Sequence, residues 1–261
     1  MLFGTLLILA GACETGNLLD NNIKTEPVDS SSMAFVKFMQ NFAGNVPQLP
    51  TAPNLTTGPQ VFLYANGAKL TGTAVGFGGI YPPTSVYATI PAGANIRFDV
   101  IQARMNLAVV PNIPAPIAGD TLVTFTQTVE AGKFYSFIMG DTVPTRKVNV
   151  VEDQLPAPAY QRYKIRLANW LMNVTDTVNV FSRRENREII QNISHKQISD
   201  WIDLPIPVIS DTIELRKKGT TTAMISIPTI SPAGMRMYTI LTRGKTGVTG
   251  KTPAATIITN R

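Results

Sequence analysis

Downstream of residue 33 the chain alternates apolar and polar side chains in short runs, separated by Gly, Pro, Asn and Asp. A period of two buries one face of an extended segment and leaves the other in water, so the pattern predicts β-strands and many turns. In the first half, strands are expected near residues 34–40, 61–65, 85–90, 96–101, 121–129, 135–139 and 148–152. Asn66-Gly67, directly after Val-Phe-Leu-Tyr-Ala, is a hairpin signal because both residues tolerate positive φ. Val61-Phe62-Leu63-Tyr64 is apolar throughout, which predicts a strand covered on both faces.

The second half repeats this order. Val36-Lys37-Phe38 corresponds to Ile165-Arg166-Leu167, and Val61-Phe62-Leu63-Tyr64 to Val178-Asn179-Val180-Phe181. Ala131-Gly132 ahead of Tyr135 matches Ala233-Gly234 ahead of Tyr238, and each copy then reaches a glycine, Gly140 or Gly244, before a final strand. The spacing shrinks from 129 residues (Val36 to Ile165) to 103 (Tyr135 to Tyr238), so loops are shorter in the second copy. Leu155-Pro156-Ala157-Pro158-Ala159 between the copies predicts a stiff, extended linker. The expected fold is all-β: two tandem immunoglobulin-like β-sandwich domains of about seven strands each, with Greek-key connections. The expected boundaries are a signal peptide over 1–12, a tether over 13–33, a first domain over 34–154, a linker over 155–162 and a second domain over 163–261.

The N-terminus predicts a location. An apolar run from Leu2 to Ala12 ends at Cys13. It is too short to cross a bilayer but has the length of a signal-peptide core. Ala10, Gly11 and Ala12 before the cysteine resemble the lipobox of bacterial lipoproteins, in which the thiol is acylated and becomes the new N-terminus. No basic residue precedes the run, which an upstream start would supply, and Leu9 sits one position further from the cysteine than in the commonest pattern. Residues 14–32 are polar and predict a flexible spacer. Together these features predict an outer-membrane lipoprotein of the cell envelope, facing the periplasm or the cell surface and held to the membrane through Cys13.

The series Val36-Lys37-Phe38, Val61-Phe62-Leu63-Tyr64-Ala65-Asn66-Gly67, Tyr87 before Ile90-Pro91-Ala92-Gly93, then Ala131-Gly132-Lys133-Phe134-Tyr135-Ser136 is similar to the domain-of-unknown-function family numbered 4397. The likeness covers residues 34–153 and, more weakly, 163–260, where Ser182-Arg183-Arg184 replaces the Ala65-Asn66-Gly67 turn. Members are bacterial, secreted or lipid-anchored, often in tandem, and resemble β-sandwiches. The resemblance implies fold and location and no activity.

Composition narrows the chemistry. The chain has 261 residues, a net charge of +6, one cysteine and one histidine, His195. An internal disulfide and a Cys/His zinc site are therefore excluded, and no cofactor is expected. Residues 160–261 carry 15 Lys/Arg against 7 Asp/Glu, whereas residues 1–159 carry 8 against 10. The basic second half either meets an anionic partner or is a solvated surface. Nucleic acid is not expected, because the basic residues are not interleaved with aromatics in a binding motif. No serine sits in a nucleophile elbow that His195 could serve, and Gly76-Phe77-Gly78-Gly79 is expected to make a bend, lacking the lysine and helix of a phosphate loop. No catalytic residue is assigned and the chain is expected not to be an enzyme.

Two patterns remain. Asp200-Trp201-Ile202-Asp203 offers either a sugar-stacking ring flanked by carboxylates or a core tryptophan between strand-end acids. Asp-Thr-aliphatic occurs at Asp120-Thr121, Asp141-Thr142, Asp176-Thr177 and Asp211-Thr212. It resembles an O-glycosylation acceptor of exported proteins in a large group of Gram-negative gut and soil bacteria, and it also describes a turn leading into a strand. The Pro-rich loop 110–116 is a candidate contact surface. The expected function is envelope binding or scaffolding, with a glycan or an envelope protein as partner and oligomeric state left open. The alternatives are an extracytoplasmic glycan hydrolase, requiring two converging carboxylates, and an accessory subunit of a nutrient-uptake complex, requiring an apolar patch on one sandwich face.

Overall fold

The computed structural model describes residues 30–42, 60–83, 85–103, 121–140, 147–172, 174, 176–245 and 252–261. Cys13, the apolar run before it, most of the tether, loop 110–116 and Thr142 lie outside these residues. The first half contains β1 (Met33–Gln40), β2 (Val61–Ala65), β3 (Ala68–Lys69), β4 (Ile80–Tyr81), β5 (Ala88–Pro91), β6 (Gly93–Gln102), β7 (Thr121–Val129), β8 (Phe134–Gly140) and β9 (Lys147–Glu152). The second contains β10 (Arg162–Asn169), β11 (Val178–Ser182), β12 (Arg187–Ile193), β13 (Gln197–Ile198), β14 (Ile202–Pro205), β15 (Asp211–Lys217), β16 (Ala223–Ile230), β17 (Met237–Arg243) and β18 (Ala254–Thr259).

Each half is a β-sandwich, and the two have one topology. A five-stranded sheet runs β4-β1-β8-β9 with β5 also on β1, and faces a four-stranded sheet β3-β2-β6-β7. The second half repeats this as β13-β10-β17-β18 with β14 on β10, facing β12-β11-β15-β16. In both, the first strand lies parallel to the penultimate one, with Lys37 opposite Ser136 and Arg166 opposite Thr239. All other strand pairs are antiparallel. Two cores fill the sandwiches, one around Phe38, Leu63, Phe98 and Phe137, the other around Ile165, Val180, Leu215 and Ile240. Among the described residues each copy has nine strands; in the first half they exceed the expected seven because β3 and β4, at two residues each, are too short to show a period.

Local chemistry explains the shared turns. Asn66 (φ 46°) and Gly67 (φ 80°) form the β2–β3 hairpin as their positive-φ tolerance predicts. The tyrosines that open β8 and β17 do equivalent work: Tyr135 Oη accepts the Glu130 N–H at 3.1 Å and Tyr238 Oη the Ala233 N–H at 3.0 Å. That equivalence corrects the glycine alignment by one residue. Gly132 (φ 76°) corresponds to Met235 (φ 58°), not Gly234, since both donate to the strand beside them, at Met33 and Arg162. The segment 76–79 makes the expected bend, with Gly79 N–H donating to Gly76 at 2.8 Å.

One expectation fails and another feature takes its place. Within β2, Phe62 and Tyr64 are half-buried, so the strand is covered on one face only. The Lys69 ammonium lies 3.4 Å from the centre of the Phe62 ring and shields it from water. The strands buried on both faces are β1, β8, β10 and β17. Their outer faces pack against each other, joining the sandwiches through an apolar cluster of Met39, Ile138, Ala168, Trp170, Leu241 and Ile258. Gly140 is required there, because a Cβ at that position would sit 2.7 Å from Trp170 Cδ1. Lys37, midway along β1, donates to the Thr259 carbonyl at 3.2 Å, and Asn41, just past its end, to that of Thr242 at 2.8 Å. Thr259 pairs with Tyr238 near the start of β17, whereas Thr242 is near its end. β1 therefore runs in the same sense as β17 and β10, and the starts of β1, β8, β10 and β17 share one end of the molecule.

Candidate functional site

Toward that end the contact between the two five-stranded sheets gives way to a cleft of about 720 Å³. Its floor is aromatic. Phe35 on β1 and Phe134 on β8 point outward from adjacent parallel strands, and their rings stack at 4.6 Å and 15°. Tyr87, just before β5, meets Phe134 edge-on at 5.1 Å. Both phenylalanines remain half-buried, leaving apolar ring surface open to the cleft. Lys133 and Glu152 rise from the first sandwich, Arg236, Asn260 and Arg261 from the second, and Gln154 and Leu155 from the segment between. Lys133 bridges Glu130 at 2.9 Å and Glu152 at 3.3 Å, which pull its ammonium further up in pKa, with the hydrogen bond it donates to Glu130 first.

A buried polar ring closes the cleft from behind. Asp153 accepts from Ser136 Oγ at 2.6 Å and from Tyr87 Oη at 2.9 Å, and forms an ion pair with Arg166. Arg166 Nε donates to Thr239 Oγ1 at 2.9 Å, Thr239 donates to Asn260 Oδ1 at 2.7 Å, and Asn260 Nδ2 donates to Tyr87 Oη at 2.9 Å. Asp153, Arg166, Ser136, Thr239 and Asn260 are all buried. Each makes the partner its burial requires, so the network ties β8, β9 and the β5 approach to β10, β17 and the chain's last residues. Burial, followed by the Asp153 charge, raises the Tyr87 hydroxyl far above the ordinary tyrosine value. Burial lowers the Lys37 ammonium to about 8, with Asp153 opposing.

The two copies meet this interface alike. Lys37 stands 4.8 Å from the centre of the Tyr87 ring, and Arg166, its counterpart, 4.3 Å from Trp201, the counterpart of Tyr87. Trp201 is half-buried beside the contact between the sandwiches. One ring face lies under Arg166, and its indole N–H donates to the Gln154 carbonyl at 2.8 Å, holding the inter-sandwich segment. Arg261 assists by donating to the Leu155 carbonyl at 3.1 Å. Asp200 and Asp203 are exposed; Asp203 pairs with Arg162 at 2.9 Å, while Asp200 lines a separate shallow cleft beside β12. The structure does not bring the three into one site.

The Asp-Thr pairs have different surroundings. Thr121 is exposed at the start of β7, and Thr212 is half-buried. Thr177 Oγ1 is buried, so a transferase reaches it only before folding. Asp176 bridges Lys217 at 2.5 Å, and Asp211 accepts from Ser182 Oγ at 2.5 Å, Thr212 N at 2.7 Å and Arg184 N at 3.0 Å. Asp211 thereby organises the turn that follows β11, whereas Asp176 makes an ion pair at the surface. His195 occupies the turn between β12 and β13. Among the described residues no three His, Cys, Asp or Glu side chains converge as metal ligands.

No family model matches the sequence, and no curated protein matches it. The chain is similar in part to several solved structures, two of which illustrate the likeness. CBMbc (family CBM26) from Eubacterium rectale Amy13K, solved in complex with maltoheptaose, aligns over 86% of this chain and 95% of its own, at 10% identity and a TM-score of 0.23. The Bacillus anthracis TIE protein aligns over 82% of this chain and 34% of its own, at 11% identity and a TM-score of 0.22.

Proposed function

We propose that the protein is a lipid-anchored binding module of the cell envelope, held through Cys13, and that the cleft between its sandwiches takes a carbohydrate. One observation carries the reading: a stacked, half-open Phe35–Phe134 pair floors a concave site whose rim is charged and polar. A sugar ring has an apolar C–H face and a polar edge. The first packs on aromatic surface and the second is matched by a few fixed donors and acceptors, here Lys133, Gln154, Arg236 and Arg261. The carboxylates at the cleft are already engaged, Asp153 by Arg166 and Glu152 by Lys133. That supports holding a ligand over the proton transfer a glycan hydrolase needs. The outer faces of the five-stranded sheets are spent on each other, which weighs against the uptake-subunit alternative. The resemblance to the family numbered 4397 is in keeping with an anchored location and implies no activity.

The test uses the full chain with Cys13→Ala, titrated calorimetrically with panels of neutral and acidic oligosaccharides. Saturable binding is expected, weakened about tenfold by Phe134→Ala or Phe35→Ala, the loss of roughly one stacking contact. Arg236→Gln should weaken acidic ligands selectively. No binding across both panels, or binding indifferent to both phenylalanines, overturns the cleft assignment. The anchor is tested separately, by the mass of the N-terminal peptide from native material; a bare thiol at Cys13 overturns it.

A further inference from the structure

At the strand-start end of the second sandwich, large apolar side chains stand in water. Tyr160 is 79% exposed, Val208 94%, Ile209 76% and Met235 53%. They occupy three loops fastened to one another: Met235 N–H donates to the Arg162 carbonyl at 2.7 Å and Ile206 N–H to that of Gln161 at 3.0 Å. A Cβ on Gly234 would lie 2.6 Å from Ile206 Cδ1, so the loops also touch. Scattered exposed apolar residues need no explanation, but a contiguous group on one loop cluster does. Basic residues flank the group. Arg236 is exposed beside Met235, and exposed Arg184 is bonded through its N–H to Asp211, the residue that follows the 206–210 loop. Of the nearby carboxylates, Asp203 is paired with Arg162, Asp211 is buried in its turn contacts and Glu185 is half-buried. The exposed charges beside the apolar group are therefore cationic, at Arg184 and Arg236, while the carboxylates nearby are paired or withdrawn from the surface.

The direction of the chain says what this surface faces. β1 begins at the same end, where Ala92 N–H donates to the Ser32 carbonyl at 2.9 Å, and the residues leading back to Cys13 continue from there. Sixteen residues lie between Cys13 and Ser30, so the end cannot lie more than about 60 Å from the acylated position.

We propose that these loops dock on an anionic phospholipid bilayer. Tyr160, Val208, Ile209 and Met235 enter the boundary between headgroups and acyl chains, and Arg184 and Arg236 rest on lipid phosphates. Apolar tips ringed by cations suit that boundary, where buried apolar area and attraction to anionic lipid add. The orientation rests on the anchored reading above, but the surface chemistry does not, and the experiment separates them.

Full-length chain carrying Cys13→Ala, and so unable to be acylated, is floated with vesicles of phosphatidylethanolamine and phosphatidylglycerol at 3:1 or of phosphatidylcholine alone. Binding is expected to the anionic vesicles, to fall with added salt, and to weaken about tenfold or more in Val208→Ser/Ile209→Ser. Arg184→Gln/Arg236→Gln should remove the preference for anionic lipid. All four positions are exposed, so unchanged thermal melting is expected and shows that the variants fold. No flotation, or flotation unaffected by the loop variants, overturns docking. Self-association lost in Val208→Ser/Ile209→Ser, without vesicle binding, also overturns it and assigns the surface to a second copy. Docking by the Cys13→Ala chain beside an unmodified native Cys13 supports docking and removes the anchor; an acylated Cys13 with no flotation does the reverse.

Discussion

Lys37 and Arg166 hold equivalent positions in the two copies, yet burial treats them differently. Arg166 reaches a counter-charge in Asp153, whereas Lys37 meets a carbonyl and the face of Tyr87. Burial therefore lowers the Lys37 ammonium to about 8 against the Coulomb pull of Asp153. Below pH 8 the lysine is charged in both folded and unfolded chains, and folding bears the cost of burying it. Between about 8 and the ordinary 10.5 the folded chain has lost the proton and the unfolded chain keeps it, so stability rises with pH. The gain is up to about 3 kcal/mol. Above pH 10 the slope reverses, because Tyr87 and Tyr163, whose hydroxyls burial raises (Tyr163 to about 12), ionise first in the unfolded chain. Urea midpoints from pH 7 to 11 should show this maximum, and Lys37→Met should abolish the rise. A second prediction concerns the ion pair. Asp153→Ala strands a buried guanidinium and should destabilise the chain by about 3–5 kcal/mol, whereas Asp153→Leu with Arg166→Met should be close to neutral. Urea unfolding of the three chains decides between a net contributor and a specificity device.

Strands shared by the two copies allow a prediction by symmetry. Tyr135 and Tyr238 each accept a backbone N–H from the loop ahead of their strand, so Tyr135→Phe and Tyr238→Phe should lower stability alike, by about 1 kcal/mol each. A large asymmetry in urea unfolding would mean that the equivalence is topological and not energetic. The same strands show what the sequence could reveal. Alternation in β7 and the Asn66-Gly67 hairpin were legible because one face meets water and the other a core. The interface was not, because Lys37, Ser136, Arg166 and Thr239 make the outer faces of β1, β8, β10 and β17 look solvated. Polar residues paired across a buried contact carry the same sequence signature as polar residues in water. The cleft was hidden for a related reason: Phe35 and Phe134 lie 99 residues apart and meet only because β1 pairs in parallel with β8. Trp201 stood out by type, but Arg166 reaches it only because β10 pairs with β14, and its other partner, the Gln154 carbonyl, comes from the segment between the sandwiches.

At the scale of the molecule, the open question is whether two sandwiches with separate cores behave as one body. Modules joined by a linker usually move and melt independently unless their interface is large and apolar. Here the contact has an apolar half around Trp170 and a polar half around Asp153, and the connecting segment is itself held by Trp201 and Arg261. Opening it strands a charge pair and exposes the Trp170 ring, so partial unfolding of one sandwich penalises the other. The full chain is therefore expected to melt in a single calorimetric transition, with its measured enthalpy equal to the van't Hoff value. Trp170→Ala removes the ring that fills the space over Gly140, at a cost of about 3–5 kcal/mol, and should split the melt into two transitions. Two transitions in the unmutated chain would mean that the sandwiches hinge freely. A cleft with one wall on each sandwich would then lose the fixed spacing that its proposed ligand requires.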